Sequence, residues 1–480
     1  MVLISIYLIL ILGVSALFFS SSKSLLTEKI LAILSSSIVL VLTTYLLFIF
    51  DGNFNLFQSV TSFSFGYTFL NLNFLFGFDG ISILFFFLSS FLIFLCILFV
   101  WNDPQFKYYT ICLLIIELFL LLIFSTLDLF LFYIFFEAIL IPMYLIIGVW
   151  GSRERKIRAV YLFFFYTLCG SILMLAGILY IYFTVGTSSI EYLLSYTFSF
   201  EEQKYLWLAF FVSFSSKIPM FPFHIWLPEA HVEAPTVGSV LLAGILLKLG
   251  VYGFVRFSLT MFPDASVFYS PLVYVLSLIG IVFASFSALR QTDLKRIIAY
   301  SSIAHMNLVV LGIFSLNSLG LEGSIIQSIS HGFVSGGMFL LIGILYDRYH
   351  SRFLYYYGGI VHIMPIYSIF FVLFTLSNIA LPGSCNFVGE LLLLAGIYLT
   401  SSLTGIIAAT GVVLCGTYSF WLCNKLIFGN IKISYTLKFA DINLREFLVL
   451  IPLFFFILLL GIYPKIFISY IHLSCLFYYF

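Results

Sequence analysis

The chain has 480 residues, of which 63% are apolar, 20% aromatic and only 9% charged, with a mean hydropathy of +1.18. A soluble domain carries about 25% charged residues, so there is too little polar surface here to face water all round, and a net charge of +1 gives no reason to expect nucleic acid as a partner. Apolar runs of about twenty residues, the length that crosses a hydrocarbon core as a helix, recur from end to end, in place of the short alternating runs of a barrel.

The first run, 2–20, opens without a basic segment and lacks a small-residue cleavage site, so it reads as a membrane helix and not a removable signal. No Arg-rich presequence is present either; a mitochondrial location would then imply synthesis inside the organelle. Spans follow at 30–50 and 80–100, separated by a loop, 51–78, rich in Asn, Phe and Ser, for which no role is read. Next come 108–125, 127–148, 159–184, 205–228 and 235–258, then 270–289, 295–315, 322–346, 364–401 and 404–428, and last 446–466. The run 364–401 is too long for one straight crossing and contains Leu381-Pro382-Gly383-Ser384, which predicts one helix broken in its middle. Pro219 and Pro222 interrupt 205–228 in the same way. The expected fold is an all-α membrane protein of about fourteen transmembrane helices.

Spans 4–8 and 9–13 each form a five-helix unit whose fourth member is broken. Paired breaks in matching positions point to an internal repeat of the transporter kind, inverted because five is odd. The expected division is 1–105 (spans 1–3), 106–260 (first repeat), 265–430 (second repeat) and 431–480 (a C-terminal helix). The basic residues support this count. Loops after the odd-numbered spans hold most of the 21 Lys and Arg, from Lys23 and Lys29 to Lys438 and Arg445. The opposite loops hold only Lys204, Arg256 and Lys465, while Lys217 and Lys248 fall inside spans. By the positive-inside rule the basic loops face the compartment of synthesis, with both termini on the other side. The run Arg153-Glu154-Arg155-Lys156-Ile157-Arg158 is read as a topogenic loop that touches anionic headgroups.

An ionisable residue within a spanning helix costs several kcal/mol and commonly marks an ion or proton path. Six stand out: Glu137, Lys217, Lys248, His305, His331 and Glu390. A low-dielectric site disfavours the charged form of a lysine amine, and an approaching carboxylate restores it. Glu137, just before Ile141-Pro142, is placed to be such a partner for Lys217, so that moving the two together or apart loads and unloads a proton. Neutral imidazoles at His305 and His331 can take a proton on one nitrogen and release it from the other, relaying it from Lys248. Glu390, just past the break at Pro382, can hand it to water. Alternatively, each of the six is part of a structural ion pair or a hydrogen-bonded core residue. Glu117, inside span 4, and His224, beside the first break, are secondary candidates, His224 as a partner for carbonyls freed by the break. Asp79 and Asp128 sit at predicted helix starts, where capping is the simpler role.

The seven cysteines include no C-x-x-C pair, and most sit in apolar runs, so they read as buried small apolar residues and not as a metal or iron–sulfur site. There is no Gly-rich nucleotide loop. No cofactor or metal is therefore expected in this chain.

Several long motifs carry a resemblance to a known family. They are residues 135–144 (FFEAILIPMY) running on to 148–151 (GVWG), and 223–239 (FHIWLPEAHVEAPTVGS) continuing to 247–250 (LKLG). Two more are 293–302 (DLKRIIAYSS) with His305-Met306-Asn307, and 386–390 (NFVGE). Over roughly residues 70–430 the chain resembles the antiporter-like membrane subunits of mitochondrial respiratory complex I; its ends match in hydropathy only. The resemblance implies a proton-translocating subunit of NADH:ubiquinone oxidoreductase in the inner mitochondrial membrane, with the basic loops on the matrix side. It implies that Glu137 and Lys217 are the helix-5 and helix-7 pair, that Lys248, His305 and His331 form the central relay, and that Glu390 is the terminal residue of helix 12. Glutamate there, where sibling chains carry lysine, marks one type within the family. Implied partners are the other membrane-arm subunits, above all those siblings, and membrane lipids, cardiolipin among them. NADH, FMN, iron–sulfur clusters and ubiquinone would be bound by other subunits. Two alternatives stay open: a subunit of a multi-chain sodium/proton antiporter, and a structural membrane subunit without its own proton path.

Overall fold

The computed structural model describes residues 2–20, 25–54, 56–64, 73–432 and 440–479; Lys23 and Lys438, counted above among the basic loops, lie outside them. Along the chain the crossings are α1 (Val2–Phe19), α2 (Leu25–Ile49), α3 (Gly80–Phe99), α4 (Phe106–Ser125), α5 (Leu129–Trp150) and α6 (Lys156–Val185). Then come α7, split into α7a (Phe200–Lys217) and α7b (Trp226–Glu233), and α8 (Thr236–Met261). The second unit is α9 (Pro263–Arg290), α10 (Leu294–Phe314), α11 (Ser318–Tyr349), α12, split into α12a (Pro365–Asn378) and α12b (Cys385–Thr400), and α13 (Ser402–Leu426). After it come α14 (Leu444–Ile462) and α15 (Lys465–Tyr479). Among the described residues, twelve helices are long and apolar enough to cross a membrane. The split α7 and α12 complete fourteen crossings.

Two elements escaped the sequence reading. Part of the loop 51–78 is an antiparallel hairpin, β1 (Gln58–Ser64) with β2 (Asn73–Phe78), in which Gln58 faces Phe78 and Thr61 faces Phe76. The segment after Pro464 is a separate helix, so the C-terminal unit holds α14 and α15, not one helix. α15 packs against α3 and α11, and His472 Nδ1 lies 2.6 Å from Glu322 of α11.

Local chemistry sets the helix starts. Asp79 caps α3 by accepting from Ser82 N, with the Ser82 hydroxyl bonding back in a capping box. Asp128 accepts from Phe130 N and Leu131 N at the head of α5. Ser199 and Glu202 form the box that opens α7a, and Asn317 caps α11. Asp79 and Asp128 are thus caps, as their positions suggested.

Burial divides the helices into two sets. α8 and α11 are buried along their whole apolar length, with α10 and α3 close behind. α1, α2, α6, α9, α13 and α14 turn most of theirs outward, exposing residues such as Phe48, Phe183 and Val413. That is the arrangement expected when the surrounding solvent is lipid. The buried set carries Lys248, His305 and His331, so the central ionisable residues lie in the interior of the bundle.

Candidate proton path

Lys248 stands between two π-helical turns of α8, Leu242–Leu246 and Phe254–Ser258. A π-turn inserts a residue into the ladder and misaligns its carbonyls. One of these, Ala243 O, accepts from Lys248 Nζ. The second contact of the amine is Nδ1 of His331 on α11, at 2.8 Å. Lys248 is completely buried. Close packing brings α8 to this place: a Cβ on Gly250 would stand 2.5 Å from Ile218 Cγ1 and 2.9 Å from Phe214 O on the α7 side.

A second pair lies beyond. His305 Nδ1 on α10 is 3.2 Å from Glu390 Oε1 on α12b, and Gln327 Nε2 donates to the same oxygen at 3.3 Å. Gly389 makes that approach possible, since a Cβ there would meet Gln327 Oε1 at 2.4 Å. The rings of His305 and His331 are 5.8 Å apart between centroids. Among the described residues no hydrogen bond joins them. The central relay is therefore two close pairs, Lys248–His331 joined by a hydrogen bond and His305–Glu390 by an ion-pair contact, separated by a short gap and not one unbroken wire.

The Glu137–Lys217 pair is looser. α5 is interrupted at Ile139, between its segments Leu129–Ala138 and Leu140–Trp150, because Pro142 has no N–H for the carbonyl of Ala138. Glu137 stands two residues before that interruption. It makes no ion pair with Lys217, and its Oε1 is buried without a hydrogen-bond partner among the described residues. The Lys217 ammonium instead lies 4.4 Å from the centre of the Phe136 ring, although Glu137 is near enough to act on it electrostatically. The two charges sit in the same region apart from one another, which is one of the two arrangements a loading step requires.

The break in α7 is satisfied by residues other than the expected one. Trp226 Nε1 donates to Ser216 O at 2.9 Å, Asn307 Nδ2 to Pro219 O at 3.4 Å, and Met220 N to Ser215 O at 3.2 Å. His224 does not bond the freed carbonyls. Its ring stacks on Phe221 with centroids 5.6 Å apart, and among the described residues its Nδ1 has no hydrogen-bond partner. Glu117 is fully buried on α4, and among the described residues neither of its carboxylate oxygens is hydrogen-bonded and none of the six path residues pairs with it.

Several residues near the path were not selected from the sequence. Arg256, counted there as a loop cation, is buried in the second π-turn and pairs with Asp79 at 2.5 Å. His231, inside the motif 223–239, is buried and stacked on Phe339 with centroids 4.7 Å apart, within electrostatic reach of both Lys295 and Lys248. Lys295 and Arg352, also read as loop cations, are buried; Lys295 Nζ donates to Ala234 O at 2.7 Å, and Arg352 lies 3.8 Å from Glu233 and 3.9 Å from Asp293. Burial holds the Arg352 guanidinium below its ordinary value, with Asp293 opposing the shift. Lys295 and Arg352 border a cavity of about 620 Å³ at the basic-loop end of the bundle, lined also by Tyr109, Trp150 and Asp347. Gln327 was legible: it stands four residues before His331, on the same face of α11.

Residues 126–415 match a family model described as NADH:quinone oxidoreductase/Mrp antiporter, transmembrane. The chain belongs to this family. The match contains all six ionisable residues of the path and both helix breaks. Family members with the name NADH-ubiquinone oxidoreductase chain 4 are similar over nearly the whole length. That of Chondrus crispus is 53% identical over 427 residues, 88% of this chain and 87% of its own. That of Prototheca wickerhamii is 50% identical and covers 97% of this chain and 92% of its own. The Arabidopsis thaliana protein is 48% identical, with coverage of 97% and 94%. The likeness thus extends past the motif region into the ends of the chain. Among solved structures, a chain of respiratory complex I from Thermus thermophilus with bound NADH superposes with a TM-score of 0.90 at 28% identity, over 100% of this chain and 99% of that one. A chain of the archaeal membrane-bound sulfane sulfur reductase gives 0.84 at 20% identity, over 96% of this chain and 76% of that one, a likeness of fold.

Proposed function

We propose that this family member is a proton-translocating membrane-arm subunit of NADH:ubiquinone oxidoreductase, using energy from electron transfer between NADH and ubiquinone to move protons across the inner mitochondrial membrane. The observation that carries the reading is the buried pair of pairs, Lys248–His331 and His305–Glu390, held across α8, α10, α11 and the broken α12. Buried titratable groups in such a series are of little use as stabilisers and suited to passing protons.

In this reading Lys217 receives a proton when Glu137 is near and releases it toward Lys248 when the two separate. His331 takes it from Lys248, and the gap to His305 is where transfer is gated, since no hydrogen bond spans it. Glu390, reached through His305 Nδ1, passes the proton out past the break in α12. The basic loops face the matrix and the exit lies opposite. Redox chemistry belongs to other subunits, which bind NADH, FMN, iron–sulfur clusters and ubiquinone; the neighbours in the membrane arm are the sibling antiporter-like chains, with cardiolipin among the surrounding lipids.

The family description also covers antiporters, so the second reading is a sodium/proton antiporter subunit. Native electrophoresis stained for NADH oxidation, with the chain identified in the active band, separates the two. Co-migration with that activity and proton transport without sodium are expected. A sodium requirement and migration away from the NADH-oxidising band would reverse the choice.

A further inference from the structure

On the side of His305 facing away from Glu390 lies a polar cluster that the proposed path does not use. Cys415 on α13 is buried, and its Sγ is 3.6 Å from His305 Nε2. Its S–H points to the main-chain oxygen of Asn378, 3.4 Å away. The Tyr418 hydroxyl donates to the sulfur at 3.0 Å, and the Asn378 amide lies 3.9 Å from it. Asn378 is the last residue of α12a, so the carbonyl held by the thiol belongs to the turn at which α12 breaks. One sulfur therefore joins the break, the relay histidine on α10 and α13.

A thiol has one hydrogen to give, and sulfur otherwise accepts. With that hydrogen directed at Asn378 O, the sulfur meets His305 as an acceptor, so the Nε2 atom carries a hydrogen. Nδ1, facing Glu390 at 3.2 Å, is then the one ring atom at which a proton comes and goes while the cluster is intact. We propose that Cys415, backed by Tyr418 and Asn378, is a positioning residue for proton transfer: it holds His305 in the Nε2–H form and confines the exchangeable proton to the line between Nδ1 and Glu390. This differs from a relay that loads one nitrogen and unloads the other. It also ties the orientation of His305 to the geometry of the helix break, because the same thiol holds both. The inference rests on the reading of His305 and Glu390 as a proton-carrying pair.

The test uses the assembled complex and four variants: Cys415→Ala, Cys415→Ser, Glu390→Gln and the C415A/E390Q double. C415A is expected to lower NADH-driven proton flux about two- to tenfold, the range of one lost neutral hydrogen bond, and to shift the pH profile of that flux. C415S, which still donates to Asn378 O and accepts from Nε2–H, restores both. On the residual flux of E390Q, C415A has no further effect, since the group it acts through is gone. C415A at wild-type flux, C415S as impaired as C415A, or the same C415A factor in both backgrounds each overturns the role of the cysteine. E390Q alone at the wild-type ratio of protons to electrons retires the proton path itself, a separate result. Should C415A fail to assemble, Tyr418→Phe removes one donor from the sulfur: a shifted pH profile supports the proposal and an unmoved one overturns it.

Discussion

Lys248 Nζ and His331 Nδ1 are 2.8 Å apart in the fully buried centre of the bundle. The amine depends on the imidazole, because among the described residues its only other hydrogen-bond partner is a carbonyl in its own π-turn. His331→Gln keeps an acceptor for the amine and cannot carry a proton. The complex should assemble and oxidise NADH with an artificial acceptor, while coupled proton flux falls by about tenfold or more, within the range for loss of a proton-transferring group. Proton flux into sealed vesicles beside native-gel staining checks both halves.

Asp79 and Arg256 are a buried ion pair at the opposite end of α8 from the basic loops, joining α8 to the start of α3. Removing one partner strands the other charge, at a cost of about 3–5 kcal/mol. Asp79→Asn or Arg256→Met alone should therefore lower the amount of assembled complex, and the double replacement should recover much of it. Quantitative immunoblotting of native gels gives the comparison.

At the first break, Trp226 supplies the hydrogen bond that holds Ser216 O, one residue from Lys217. Trp226→Phe removes about 1 kcal/mol of support and keeps most of the ring. A modest loss of thermal stability of the complex with a larger loss of pumping is expected; a loss of stability alone would reduce Trp226 to a packing role.

Gly389 lies against Gln327, with 2.4 Å between an added Cβ and Gln327 Oε1. Gly389→Ala should push α12b away from α11 and break the Gln327–Glu390 hydrogen bond. Proton flux should drop while the separate Asp79–Arg256 region stays unaffected, which thermal unfolding of the purified complex in detergent can follow.

Much of this was legible in the sequence. The apolar runs and the bias of basic loops gave fourteen crossings, and the prolines marked both breaks, because helix ladders and lipid leave few alternatives. The six ionisable residues stood out because charge is rare in a span. Contact between them was not legible: which of Glu137, Phe136 and Pro142 meets Lys217 depends on how α5 and α7a pack. Arg256, Lys295 and Arg352 read as loop cations because a sequence shows where a helix ends and not how far a bundle buries that end. Cys415 was read as a small apolar residue, since a thiol earns a polar role only from neighbours that packing brings, here from α10, α12a and the next turn of its own helix. The hairpin was missed because β1 and β2 are short and the Phe-rich stretch around them shows little alternation.

Glu390 is the residue on which the proposed path converges, and it offers the most direct test. The number of protons moved per electron pair, measured in proteoliposomes containing the complex with Glu390→Gln, should fall below that of the unaltered complex while assembly and NADH oxidation by an artificial acceptor stay normal. An unchanged ratio in an intact assembly would contradict a proton path through this chain.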